Sequence, residues 1–305
     1  MTIKIGGRLG DIIMYLSMCK YISLKLNTSC DVYLADDDFR TNKLHRTCEQ
    51  TYKDVYNLIK SQSYVNDFKL YEENQEIDVD LTNFRKFRHI PSMIQQLFTW
   101  PEVFIRLYFD QNTNKPIKPC KDKKSEYFFK KLLTGTHNNE TITGGWLTPT
   151  ATYEEYSNSL IISRSNYRPT PDDFIVSQYH KIIEPYKDNV YFACYEKHEF
   201  VDFKRQFNAP VEPIFVSNLE QWWNIIGSCE LFLCNMTSSA CFAYGLNQNR
   251  ILEPWNDPVA LFFAHESIKN PKQRLINSYY NDFPNKIKHW ELIKENIVPG
   301  RIILS

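Results

Sequence analysis

The chain has 305 residues, about twice a typical ~150-residue domain, so two cores are expected rather than one. Apolar residues make up 43%, enough to fill both. Lys plus Arg and Asp plus Glu number 36 each, so no global basic field exists to draw in nucleic acid or an anionic membrane.

Ile3-Lys4-Ile5 reads as a short strand running into Gly6-Gly7-Arg8-Leu9-Gly10-Asp11. Ile12, Leu16, Cys19, Ile22 and Leu26 then fall at helical spacing. This start lacks the charged segment and apolar run of a signal peptide, and no apolar run reaches the ~18–20 residues that span a bilayer. A cytoplasmic protein is the expectation. The eight cysteines are scattered and form no C-x-x-C pair, which fits reduced, structural thiols. Asp31–Ala35 reads as a second strand, Tyr52–Lys60 as a helix and Val65–Leu70 as a third strand. Ile77, Val79 and Leu81 alternate with Asp78 and Asp80, a strand pattern. Pro91–Phe109 is aromatic with helical spacing, Asn112–Lys124 is a polar loop, and Ser125–Leu133 is a helix. Gly144-Gly145-Trp146 and Pro149 mark the linker between the halves.

The second half repeats the scheme. Strands are expected at Ser159–Ser163, Val190–Cys194, Ile214–Val216, Glu230–Cys234 and Arg250–Leu252. Helices are expected at Pro171–Tyr186, Lys197–Phe207, Leu219–Gly227 and Ser238–Leu246. Strict strand–helix alternation predicts parallel, doubly wound sheets. The domains are then 1–150 and 151–283, with a final helix near Ile287–Asn296 in a tail, 284–305.

Three clusters can carry chemistry. The glycine loop Gly6, Gly7, Arg8 and Gly10 brings backbone N–H groups and a helix dipole to one point, with Asp11 placed either to cap the helix or to act as a general base. Its glycines do not spell G-x-G-x-x-G, and no Walker lysine follows. Asn235-Met236-Thr237-Ser238-Ser239 sets three hydroxyls at a helix start, more than a cap needs, which favours a phosphate nest. Ser163, Arg164 and Arg168 follow the strand that opens the second half; the two arginines either clamp a diphosphate or form a solvated basic loop. Ligands bind beyond the carboxyl ends of parallel strands, and this loop lies at such an end. Glu253 and Glu196 also follow strands; each either accepts from a ribose hydroxyl or is an exposed loop carboxylate. Asp78-Val79-Asp80 has the D-x-D form of metal-dependent transferases, but the motif is frequent by chance; no metal is expected there, and the histidines have no zinc spacing.

These residues resemble a family. Gly6-Gly7-Arg8-Leu9-Gly10-Asp11 before an apolar helix is similar to the start of heptosyltransferase-like glycosyltransferases (family 9) of the GT-B fold. Ile77-Asp78-Val79-Asp80-Leu81 looks like their strand ending in Asp-Leu, and Asn235–Leu246 like their late D-T-G motif. The resemblance implies two Rossmann-like doubly wound domains facing a cleft, with a C-terminal helix returning to the first. It implies inverting, metal-independent transfer from a nucleotide-diphosphate sugar to a glycan or glycoconjugate acceptor, with no cofactor. Asp11 would be the base, the first domain would hold the acceptor, and Thr237, Ser238, Ser239 and Arg168 would meet the diphosphate. The chain departs from the pattern at Met236, Ser238 and Cys241, which stand for the family's Asp, Gly and His. A different donor or a site that binds without turnover is therefore open. So are a Rossmann-type epimerase or methyltransferase, and an assembly protein that uses its many aromatics as an interface.

Overall fold

The computed structural model describes residues 1–36, 47–82, 145–165, 170–235, 237–253 and 273–275. The expectations for Pro91–Phe109, Asn112–Lys124, Ser125–Leu133 and the final helix lie outside the described residues.

The first sheet is formed by β1 (Thr2–Ile5), β2 (Cys30–Leu34), β3 (Val65–Leu70) and β4 (Val79–Asp80). All pair in parallel, in the order β3-β2-β1-β4. Helices α1 (Leu9–Leu26) and α2 (Cys48–Lys60) make the crossovers from β1 to β2 and from β2 to β3. Ile3, Ile5, Val32, Leu34, Phe68 and Val79 share one core with these helices. The alternate residues Thr2, Lys4, Asp31, Tyr33 and Asp80 are only half-buried. This parallel sheet therefore reads apolar–polar, whereas a sheet covered on both faces reads as a continuous apolar run.

The helix α2 begins four residues before the expected Tyr52. Thr47 caps it: its hydroxyl accepts from Gln50 N–H at 3.2 Å, and Gln50 Oε1 accepts from Thr47 N–H at 3.0 Å. Thr-Cys-Glu-Gln is a capping box that the apolar pattern alone does not reveal.

The second sheet contains β5 (Leu160–Ser163), β6 (Val190–Cys194), β7 (Glu212–Phe215), β8 (Leu231–Asn235), β9 (Arg250–Glu253) and β10 (Gln273–Leu275). Its order is β7-β6-β5-β8-β9-β10, parallel throughout. Numbered from β5, this is the 3-2-1-4-5-6 order of a dinucleotide-type doubly wound sheet, with its switch point between β5 and β8. Helices α3 (Asp173–Ile183) and α4 (Lys197–Phe207) cover one face with Leu160, Ile162, Phe192 and Leu233. Helices α5 (Leu219–Ser228) and α6 (Ser238–Gly245) cover the other with Ile161, Ala193, Phe232 and Cys234. Alternation along each strand thus feeds two separate cores.

The two units join helix to helix. One continuous core holds α1 and α2 of the first unit together with α5 and α6 of the second. Every residue of α1 from Asp11 to Cys19 is buried, as is α6 from Ser239 to Gly245. Of the expected stripe Ile12, Leu16, Cys19, Ile22 and Leu26, all but Leu26 are buried, yet they are fewer than half of what α1 buries. Ile13, Met14 and Met18 are also buried, because one side of the helix meets its sheet while another meets α6. No helix among the described residues is long and apolar enough to cross a membrane.

Trp146 is the wedge at this seam. It is fully buried, and its indole N–H donates to Ile13 O at 2.9 Å. Tyr64 Oη donates to Trp146 O at 2.9 Å, and the Tyr244 ring meets the indole edge-on at 4.7 Å. Leu147 N–H donates to Gly245 O at 2.9 Å, and Gln62 closes both backbone groups of Thr148. The linker read from Gly144–Pro149 is therefore clamped between the units from residue 145 onward rather than lying loose on the surface.

Trp146→Ala removes a large side chain from a packed seam and should destabilise the protein by about 3–5 kcal/mol, measured by urea denaturation. A loss below about 1 kcal/mol would contradict the wedge. The thiols give a second check. Burial pushes Cys30 up to about 11 and Cys194, Cys229 and Cys241 up to about 12. The thiolate is the nucleophile, so iodoacetamide at pH 8 should label these four far more slowly in native than in urea-unfolded protein, read by peptide mass spectrometry.

Candidate functional site at the junction of two helix starts

The glycine loop turns β1 into α1. Gly7 sits at φ +87°, in the left-handed region, and a Cβ there would lie 2.7 Å from Asp11 Oδ2. Glycine is required on both counts. Asp11, the third residue of α1, accepts from Arg8 N–H at 2.9 Å, so it does tie down the helix start. It is 7% exposed. Gly6 and Gly7 are buried beside it and Arg8 is exposed.

Gly10 touches the second unit. A Cβ on it would meet Cys241 Sγ at 3.2 Å and Ser238 Cα at 3.8 Å. The amino terminus of α1 therefore lies against that of α6. Further along, Lys20 Nζ donates to Gly145 O at 2.7 Å beside the end of α6. The helices run in the same direction, and their positive poles add at one point. That concentration of donors and dipole favours an anion.

At the α6 pole, Thr237 is the N-cap, yet its side chain bonds no backbone N–H of the helix. Its Oγ1 lies 2.8 Å from Ser239 Oγ. A plain cap would have used that hydroxyl on the first turn. Thr237 and Ser238 are half-buried, whereas Ser239 is fully buried with the Cys234 thiol beside it. Met236 and Arg168 lie outside the described residues.

The switch point itself is held by a buried network. The Asn235 side chain brackets Ser165, donating from Nδ2 to Ser165 O at 3.0 Å and accepting from Ser165 N–H at 3.3 Å. This locks the ends of β5 and β8 together where regular pairing stops. Ser163 is buried at the end of β5. Arg164, 4% exposed, reaches across the end of β8 to Glu253 on β9, donating from Nε at 2.7 Å and from an Nη at 2.9 Å. Tyr179 Oη donates to the same carboxylate at 2.8 Å. The guanidinium also faces Gln206 and packs over Phe207, 5.3 Å from the ring centroid. Burial first, and the Glu253 charge second, push the Tyr179 phenol well above its ordinary range.

The structure thus brings Arg164 and Glu253 onto each other; the sequence had set one toward a diphosphate and the other toward a ribose. Glu196 and Glu199 lie at the start of α4, where Glu199 accepts from the N–H groups of Tyr195 and Glu196. Glu196 itself is well exposed beside His198. Asp78 accepts from Thr2, while Asp80 pairs with Lys4 at 3.4 Å and accepts from Thr82. No group of three or more His, Cys, Asp or Glu among the described residues could hold a metal ion. Asn235, Tyr179 and Gln206 were not singled out individually from sequence, because their roles appear only when separate strands and helices meet.

No protein-family model matches the chain, and no curated protein matches it. Solved structures to which it is similar include the E. coli heptosyltransferase WaaC with ADP, at 12% identity and TM-score 0.48, covering 99% of this chain and 100% of that one. The glycosyl transferase family 9 structure from Veillonella parvula follows at 9% identity and TM-score 0.44, with 83% and 79% covered. A UDP-N-acetylglucosamine 2-epimerase, assigned as putative, from Listeria monocytogenes stands at 10% identity and TM-score 0.43, with 98% and 89% covered. At such identities and TM-scores, the reading of the site rests on its own residues.

Removing one partner from the buried ion pair strands a charge. Glu253→Ala should cost about 3–5 kcal/mol, while the double replacement Arg164→Met with Glu253→Leu should recover most of the loss. Chemical denaturation of the set checks this; equal losses in the single and double variants would contradict a paired charge.

Proposed function

We propose that the protein is a glycosyltransferase of the GT-B plan that takes its sugar from a nucleoside diphosphate. The observation that carries this reading is the abutment of the α1 and α6 amino termini at Gly10 and Ser238. It sets a carboxylate, Asp11, on one side of the junction and the hydroxyls of Thr237 and Ser238 on the other. A leaving diphosphate fits the α6 pole, beside the switch point where doubly wound sheets hold nucleotides. An acceptor fits the Asp11 side.

In the proposed reaction Asp11 takes the proton of an acceptor hydroxyl. The acceptor oxygen bonds to the anomeric carbon on the face opposite the diphosphate. The carbon–oxygen bond to the diphosphate breaks, and its electron pair leaves with the nucleoside diphosphate. The two helix poles and the Thr237 and Ser238 hydroxyls stabilise that growing charge, the term that usually dominates. The scheme inverts the anomeric centre and routes no step through a metal.

A second reading, donor binding without transfer, is supported by one contact. Arg164 is engaged by Glu253, so the cation expected to clamp the diphosphate already has a buried counter-charge.

Isothermal titration with ADP, GDP, UDP and CMP, followed by transfer assays with sugars of whichever nucleotide binds, tests both. The expected result is binding of at least one nucleoside diphosphate and its sugar. Asp11→Asn retains the oxygen that accepts from Arg8 N–H, so it should bind the donor like wild type while turnover falls about 10²–10⁴-fold. Unchanged turnover in that variant would remove Asp11 as the base. Binding with no transfer to any acceptor would favour the second reading, and silence toward every nucleotide would discard both.

A further inference from the structure

Tyr195 follows β6 directly, at the carboxyl edge of the second sheet, and is 40% exposed. Few large aromatics among the described residues are as open. Its ring is not loose: it meets Trp222, in the first turns of α5, edge-on at 5.1 Å and 84°. Its backbone N–H is fixed by Glu199 Oε2 at 2.9 Å. Trp222 in turn packs against the core shared by the two units. An exposed aromatic side chain is thus held perpendicular to a partly buried indole and anchored at its own backbone.

Tyr191, Ala193 and Tyr195 alternate onto the α5 and α6 side of the sheet; Ala193 belongs to that core and Tyr191 packs against it. The Thr237–Ser238 pole of α6 is on the same side. Strand order runs β8-β5-β6, so the Tyr195 ring and the α6 pole stand about two strand spacings apart, ~10 Å, along one carboxyl edge. A nucleoside diphosphate extends in this way, with phosphates at one end and a flat base at the other.

Building on the function proposed above, we infer that Tyr195, held against Trp222, is the stacking platform for the base of the bound nucleoside diphosphate. The ring offers a π-face, which any nucleobase can use, and the Trp222 contact saves the entropy of ordering it on binding. Base identity is then read by other groups, while Tyr195 supplies sequence-tolerant affinity.

The test compares two kinds of probe: ADP and UDP, which carry a base, and inorganic pyrophosphate, which does not. Each is titrated calorimetrically into wild type, Tyr195→Ala and Tyr195→Phe, with thermal melts to show that the exposed side chain is dispensable for folding. Tyr195→Ala should weaken the nucleotide that wild type binds by about 5- to 150-fold, leave pyrophosphate unchanged and be rescued by Tyr195→Phe. Equal nucleotide affinity in wild type and Tyr195→Ala overturns the platform alone and leaves the transferase reading standing. An equal loss for nucleotide and pyrophosphate also overturns it, since the effect would not be on the base. Failure of wild type to bind ADP, UDP or the GDP and CMP of the wider panel overturns the functional reading and the platform with it.

Discussion

The stretches Asp11–Cys19 of α1 and Ser239–Gly245 of α6 are buried all round and cannot be left against water on either side. Each is covered by its own sheet, and each covers the other. That single requirement fixes how the halves of the chain sit. It explains why Met14 and Met18, off the expected stripe, are as buried as Leu16. It also explains why the linker is pinned: Trp146 fills the space between α1, Tyr64 and Tyr244, and its indole N–H finds its acceptor on α1. A buried indole N–H usually finds such a partner.

The same packing has an electrostatic consequence. Helices that run side by side in one direction place their amino termini together, and like poles repel. The chain meets this with a carboxylate on the α1 side, where Asp11 caps the backbone. On the α6 side no acidic residue occupies the first turn. An anion at that pole would relieve the repulsion.

Rigidity at the switch point follows from a different device. The Asn235 amide joins β5 to β8 beyond their last ladder bonds, and the Arg164–Glu253 pair arches from β5 to β9. A buried ion pair is a costly way to gain stability, because desolvation opposes the Coulomb attraction. With Tyr179 donating to the same carboxylate, the pair ties the end of β5 to β9 across the end of β8.

Much of the fold was legible from the chain alone. The parallel class, the division into two α/β halves and the positions of most strands and helices follow from apolar spacing, because strand and helix periods are local properties of a sequence. Gly7 and Asp11 were legible as a unit, since a positive φ and a helix cap are also local demands. The start of α2 was missed because its signal is a polar capping box rather than an apolar stripe. What the sequence could not assign was partnership. Arg164 and Glu253, 89 positions apart, looked like two separate ligand contacts until the strand order set them face to face. The second buried side of α1, the wedge role of Trp146 and the shared pole of α1 and α6 belong to the same class. Each depends on which surfaces meet across hundreds of possible pairings, and only the tertiary structure, by burying those surfaces against one another, decides it.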